Sequence, residues 1–180
     1  MTGPSKRALL GIGLSALIVP ALGQANPIEE AYIGAGLMPW QYEGAGEDVE
    51  AIGGRLVGGV MFTDHLGVEA HFAWMGEEDT ASRRTVELDS VDSVFVRINR
   101  RFGEGFDLYA LAGYTSVQMV IRPRFASDND ESPSASGVSI GLGAEWAIDP
   151  QWSVALDAID YASEPGFDFE ALGATLRWHF

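Results

Sequence analysis

Six charged side chains stand singly within apolar, glycine-rich stretches of this chain, and they could form ion pairs. They are three arginines and three acids, namely Arg55, Glu69, Arg97, Glu145, Asp157 and Arg177. Charges removed from water are stable only when they are paired and hydrogen-bonded. If all six face one narrow interior, they predict a structural charge network that plugs it. The alternative is a gated pore through the same interior.

The histidines and an acidic cluster are the residues of this chain that could serve catalysis or metal binding. A serine nucleophile needs a base within hydrogen-bond reach, and the sequence shows no such pair at His65, His71 or His179. We therefore predict no enzyme activity, no catalytic residue and no cofactor. Residues 128–131 (DNDE) could bind calcium, but they lack the central glycine of an EF-hand loop, and a solvated acidic loop is the better interpretation. No metal site is predicted.

The overall composition excludes two further classes of site. The 180 residues include 26 acids against 11 lysines and arginines, which gives a formal net charge of −15. A surface of this sign repels nucleic acid. The chain has no cysteine, so disulfides and thiolate metal sites are excluded.

The N-terminal residues have the pattern of an export signal. Lys6 and Arg7 precede an apolar run at 8–19, and small residues occupy Gly23 and Ala25. The run is too short to cross a bilayer of about 30 Å as a helix, although a retained N-terminal anchor is the alternative. We predict a signal peptide over 1–25 and a single domain over 26–180. A membrane-spanning helix needs about 18 consecutive apolar residues, and no later run in the chain is that long. Any further membrane crossing must therefore use strands.

After the signal, apolar and polar residues alternate with a period of two. Residues 138–148 are the clearest case, with Ile140, Leu142 and Trp146 on one face and Ser139 and Glu145 on the other. Eight strands are predicted: Ala31–Tyr42, Ile52–Phe62, Leu66–Met75, Val91–Phe102, Phe106–Arg122, Val138–Ile148, Trp152–Tyr161 and Phe169–Phe180.

The connections between these strands alternate in length. Those at 63–65, 103–105 and 149–151 are short, whereas those at 43–51, 76–90, 123–137 and 162–168 are longer. Short turns on one rim and longer loops on the other are typical of an outer-membrane barrel. The predicted fold is all-β: a closed antiparallel up-and-down transmembrane barrel of about eight strands, with both chain ends on the periplasmic side.

The apolar face of each strand is predicted to contact lipid. In the fifth strand, Tyr109, Leu111 and Val117 belong to this face. Aromatic residues near strand ends predict interfacial girdles: Trp40, Tyr42, Phe62, Trp74, Phe102, Trp146, Trp152, Trp178 and Phe180. A soluble lipocalin-like barrel, which buries its apolar face, is the alternative.

Four segments together resemble a known family. Residues 31–37 (AYIGAGL), 66–70 (LGVEA), 111–114 (LAGY) and 173–180 (GATLRWHF) are similar to stretches of the small eight-stranded outer-membrane barrels, which include the OmpA membrane domain and the opacity-type surface proteins. The last segment resembles their C-terminal assembly signal, which would here comprise Gly173, Leu176, Trp178 and Phe180. The resemblance implies location in the bacterial outer membrane, contact with its lipid and lipopolysaccharide, and recognition by the outer-membrane assembly machinery.

The predicted function is that of a monomeric integral outer-membrane protein with a structural or surface-exposed role. Two alternatives use the same fold: a surface binding module (adhesin or receptor) acting through the acidic outer loops, and a small-solute pore. A lipid-modifying enzyme is a third, and it would require a histidine–serine pair at the outer rim.

Overall fold

The computed structural model describes residues 28–44, 47–75, 84–123, 134–164 and 167–180. The predicted signal peptide and the acidic segment 128–131 lie outside the described residues. The described chain forms eight strands: β1 (Glu30–Gly44), β2 (Glu47–Thr63), β3 (Leu66–Met75), β4 (Arg84–Arg101), β5 (Phe106–Pro123), β6 (Ser134–Ala147), β7 (Trp152–Glu164) and β8 (Phe167–His179). None of the described residues belongs to a helix that could cross a membrane.

The strands close into one antiparallel barrel, as the sequence predicts. Each strand pairs with the next, and β8 returns to β1, where Trp178 lies opposite Ile33. The stagger of the strands around the barrel is ten residues. Successive directly paired residues, followed once around the barrel from Val60 in β2, lead back to β2 at Glu50. Eight strands with this stagger tilt by about 40° and enclose an interior just wide enough for side chains.

Several strands extend beyond their predicted limits at the loop end. β2 begins at Glu47 rather than Ile52, and β4 begins at Arg84 rather than Val91. The extensions are richer in acids than the predicted strands, and only Val86 and Leu88 in β4 continue the apolar alternation on which the prediction depended. Backbone pairing needs no apolar side chain, and it therefore continues past the point where the alternation stops.

Large apolar side chains cover the outside of the barrel. On β6, Val138 is 73% exposed and Leu142 is 70% exposed. At the short-turn end, aromatic rings contact one another, with centroid separations of 5.1 Å for Phe106–Trp146 and 5.0 Å for Trp178–Phe180. This arrangement is the apolar band and interfacial girdle of a membrane barrel, and it is the reverse of a soluble barrel.

Two predictions about direction were wrong. Trp40, predicted in a girdle, is only 5% exposed and packs inside the barrel against Phe169. In β5, Tyr109, Leu111 and Val117 are buried in the interior rather than facing lipid. Alternation separates the two faces of a strand but does not identify the inner one, because a packed lumen accepts apolar side chains as readily as lipid does.

The interior has two layers. The layer toward the longer connections is apolar and largely aromatic, and its members are almost fully buried: Met38, Trp40, Val91, Phe95, Tyr161 and Phe169. We call these six residues the aromatic stopper. The layer toward the short turns contains the charged side chains. On β4, for example, Phe95 lies on the loop side of Arg97.

Candidate functional site: the lumen charge network

The structure places all six predicted charged side chains in the interior, where each is nearly or fully buried. They come from β2, β3, β4, β6, β7 and β8, and each has lipid-facing neighbours on its own strand. Glu145, for example, lies between Ala144 and Trp146 on β6, and Trp146 is exposed. The period of two therefore places each charge and its lipid-facing neighbours on opposite faces of the strand, and closure of the barrel brings the charges together.

Four of the charges form a closed ring of alternating sign. Arg97 donates to Glu69 at 2.7 Å and to Glu145 at 2.5 Å. Arg177 donates to Glu145 at 2.7 Å and to Glu69 at 3.1 Å. Two arginines and two glutamates balance, so the ring carries no formal net charge. We call these four residues the charge ring.

The other two charges form a separate pair. Arg55 donates to both carboxylate oxygens of Asp157, at 2.7 and 2.8 Å, and to the Thr175 hydroxyl at 2.6 Å. Gly173 lies directly opposite Asp157 on the neighbouring strand, and a Cβ there would overlap the Arg55 guanidinium. Gly173 thus has a packing role within the lumen that is independent of any assembly signal.

Two tyrosines frame the charge ring, although the sequence pattern assigned Tyr109 to the lipid-facing side and gave Tyr32 no role. The guanidinium carbon of Arg97 lies 5.3 Å from the Tyr32 ring centre and 4.0 Å from that of Tyr109. The corresponding distances for Arg177 are 5.0 and 5.1 Å. Both arginines are therefore within range of cation–π attraction.

The tyrosine rings fit because each lies across from a glycine. Tyr32 is paired with Gly59, and Tyr109 is paired with Gly143. A Cβ at either glycine would overlap the tyrosine ring. This signal is present in the sequence only as an excess of glycine, because the pairing depends on the strand register.

A third group lies at the periplasmic mouth of the barrel. One nitrogen of His179 contacts Glu30, while the other lies 2.8 Å from the Ser153 hydroxyl and 3.2 Å from Glu145. The expectation that no histidine approaches a serine was therefore wrong. However, Ser153 donates to Glu145 at 2.5 Å. The group lines a periplasmic cavity of about 750 Å³, at the end opposite the outer rim.

His71 connects the charge ring to the aromatic stopper. Its Nε2 lies 2.6 Å from Glu69, and its Nδ1 lies 3.1 Å from the Tyr161 hydroxyl. Among the side chains that the structure describes, no group of three or more histidines and carboxylates could hold a metal ion.

The remaining residues of the predicted assembly signal face outward. Leu176, Trp178 and Phe180 are exposed on the lipid side of β8 or at its end. Their placement gives β8 a continuous apolar outer surface that ends in the aromatic girdle.

Comparison with known proteins extends this description to a family. The family model described as "Outer membrane protein beta-barrel domain" matches residues 9–180. No curated protein sequence matches the chain.

Solved structures show the same fold at low sequence identity. Ail of Yersinia pestis is 17% identical, with a TM-score of 0.67 over 84% of this chain and 98% of its own. Neisserial surface protein A is 12% identical, with a TM-score of 0.67 over 83% and 97%. OprG of Pseudomonas aeruginosa is 11% identical, with a TM-score of 0.59 over 84% and 95%. The chain belongs to the outer membrane protein β-barrel domain family, and it is a protein of the bacterial outer membrane.

Proposed function

We propose that this protein is a closed, non-catalytic barrel with a structural or surface-exposed role in the outer membrane. In this proposal it is a monomer surrounded by lipid and lipopolysaccharide, and the assembly machinery recognises its C-terminal strand. The observation that carries the proposal is the filling of the lumen by two successive layers, the charge ring and the aromatic stopper.

Each layer opposes conduction for a different reason. The charge ring offers an ion no free charge, because each guanidinium and each carboxylate is engaged by two partners of opposite sign. The polar side-chain atoms of the aromatic stopper are the Tyr161 hydroxyl, which contacts His71, and the indole nitrogen of Trp40. The neighbouring buried hydroxyls of Ser93, Thr115 and Ser139 are hydrogen-bonded to one another. An ion would have to break the first layer and then lose its hydration shell in the second.

Single-channel recording in planar bilayers tests the closed state. We expect no steady conductance from the wild type, nor from Phe95→Ala/Tyr161→Ala, since the charge ring remains in that variant. Adding Glu69→Gln and Arg97→Met to the same variant opens both layers and should give a conductance. A steady wild-type conductance would reject the plug and favour the pore.

The contacts of Ser153 support the absence of catalysis. A nucleophilic serine gives its proton to a free histidine base, whereas Ser153 donates to Glu145. His179 lies between Glu30 and Glu145, and this arrangement favours a charged imidazolium that cannot accept that proton.

If this protein binds a partner through its surface loops, that partner must differ in charge from the ligand found with the structural neighbour Ail. Ail was solved in complex with the heparin analogue sucrose octasulfate. In the present chain each of the four longer connections has more acidic than basic residues, so a sulfated polyanion would be repelled. We expect no retention on immobilised heparin at low ionic strength, and clear retention would revive the adhesin alternative.

A further inference from the structure

Arg100 faces outward from β4, close to the periplasmic boundary of the membrane. It is exposed, and its guanidinium carbon lies 5.8 Å from the centre of the Phe102 ring. Phe102 is nearer the periplasmic turn along the chain, so the Arg100 side chain extends along the barrel surface toward the water, as long cationic side chains do at a membrane boundary. Cation–π attraction is effective at this distance, and it holds the guanidinium beside the ring.

Arg100 stands at the edge of an aromatic platform on the barrel surface. The Phe102 ring centre lies 6.3 Å from that of Phe106, which in turn lies 5.1 Å from that of Trp146. These three rings belong to the periplasmic girdle, and such girdles lie at the level of the lipid headgroups. A cation held beside the platform therefore faces the phosphates of the periplasmic leaflet.

Arg100 and its neighbour Arg101 differ in their partners. Arg101 points to the other face of β4, where its guanidinium lies 3.7 Å from Asp64 and 3.3 Å from Asp107. In the part of the chain that the structure describes, no carboxylate forms an ion pair with Arg100. The Phe102 ring accepts none of its strong hydrogen bonds, so the N–H donors of Arg100 are available to a ligand outside the barrel.

An apolar furrow begins beside Arg100 and follows the outer face of β5. Each floor residue is an alanine that lies directly opposite one larger, lipid-exposed side chain on either side. The floor is Ala110 and Ala112, and the walls are Val96 and Ile98 of β4 and Ile140 and Leu142 of β6. At the periplasmic end Leu108 lies opposite Arg100, and at the other end Tyr114 is exposed. These ends are six residues apart on β5, which gives a length of about 20 Å. We call it the β5 furrow.

We propose that this face binds one phospholipid of the periplasmic leaflet, with its phosphate on Arg100 and an acyl chain in the β5 furrow. The planar guanidinium can donate two parallel hydrogen bonds to the unesterified oxygens of a phosphodiester, and such charge-assisted pairs are stronger than neutral hydrogen bonds. Arg100 lies where the β5 furrow meets the headgroup level. The headgroup and the chain of a single lipid can therefore occupy both at once.

Native mass spectrometry of protein released from mixed-lipid nanodiscs tests this proposal. The probes are phosphatidylglycerol and monogalactosyldiacylglycerol with identical acyl chains, because both headgroups carry hydroxyls and only the first carries a phosphate. We expect the wild type to retain phosphatidylglycerol preferentially. Arg100→Met should reduce that preference about twofold to fivefold, because a single exposed charge pair is weak.

Matched variants separate the phosphate contact from the furrow. Arg101→Met makes the same charge change one residue away, on the opposite face of β4, and it should leave the preference unchanged. Ala112→Phe fills the β5 furrow and should reduce phosphatidylglycerol retention without any change of charge. Its control is Ala35→Phe, the same substitution at an exposed alanine of β1 that lies opposite Leu56 and Leu176, and it should leave retention unchanged.

Three results would overturn the proposal. They are equal retention of the two lipids by the wild type, no greater loss of preference in Arg100→Met than in Arg101→Met, and no greater loss of retention in Ala112→Phe than in Ala35→Phe. The proposal depends on membrane placement and not on a closed lumen, so a conducting wild type would leave it intact.

Discussion

Removal of Arg55 would leave the carboxylate of Asp157 buried without its cation. Both side chains are fully buried, and the hydrogen bond from Tyr109 at 3.0 Å would remain. Loss of one partner from a buried ion pair costs about 3–5 kcal/mol. We expect Arg55→Met and Asp157→Asn each to lower the free energy of unfolding by this amount.

The double variant distinguishes a direct pair from two independent losses. Independent losses would sum to roughly 6–10 kcal/mol. If the pair is direct, Arg55→Met/Asp157→Asn removes both charges together and should lose no more than about 5 kcal/mol. The measurement is urea unfolding of protein refolded into phosphatidylcholine vesicles, followed by tryptophan fluorescence.

An exposed pair provides the matched control. Arg101 lies 3.3 Å from Asp107 near the periplasmic turn, and its side chain is 53% exposed. A cycle of Arg101→Met and Asp107→Asn should give a coupling below about 1 kcal/mol, because water screens the pair. Additive losses at Arg55 and Asp157, or equal couplings in the two cycles, would refute the claim that lumen burial makes this pair strong.

Three further predictions concern the surface, the processing and the chemistry of the chain. Leu142→Arg, in the apolar band, should cost about 2–4 kcal/mol of unfolding free energy, and Val138→Arg, nearer the outer boundary, about 0–1 kcal/mol; equal costs would contradict the assigned depth. N-terminal sequencing of the membrane-fraction protein should begin at Asn26, and recovery of Met1 would exclude cleavage after Ala25. A fluorophosphonate probe should leave Ser153 unlabelled, and labelling abolished by Ser153→Ala would show a reactive serine.

Gly141→Ser is unsuitable as a lumen-facing control for Leu142→Arg in the folded barrel. Gly141 is next to Leu142 and faces the lumen, so alternation alone predicts that Gly141→Ser is mild. A Cβ at Gly141 would lie 2.8 Å from a side-chain carbon of Ile159. Loss of stability there would report crowding in the lumen rather than lipid exposure.

The sequence alone predicted the strand number and placed each of the six charges on the opposite face of its strand from the bulky apolar side chains. These features are local, because a period of two and the turn residues require only neighbouring positions. β3 was predicted with the bounds Leu66–Met75 that the structure shows. Alternation within this single strand places Glu69 and Phe72 on opposite faces.

Only the tertiary structure decided which inward side chains meet. Arg55 and Asp157 lie on β2 and β7, which are not neighbours in the barrel, and their contact depends on the stagger at which it closes. The same stagger sets Tyr32 against Gly59 and brings His179 to Ser153. It also assembles the aromatic stopper, which composition could not reveal because apolar residues suit both lipid and a packed lumen. A shift of register by one residue would reverse every face, so these contacts depend on long-range pairing that no local pattern encodes.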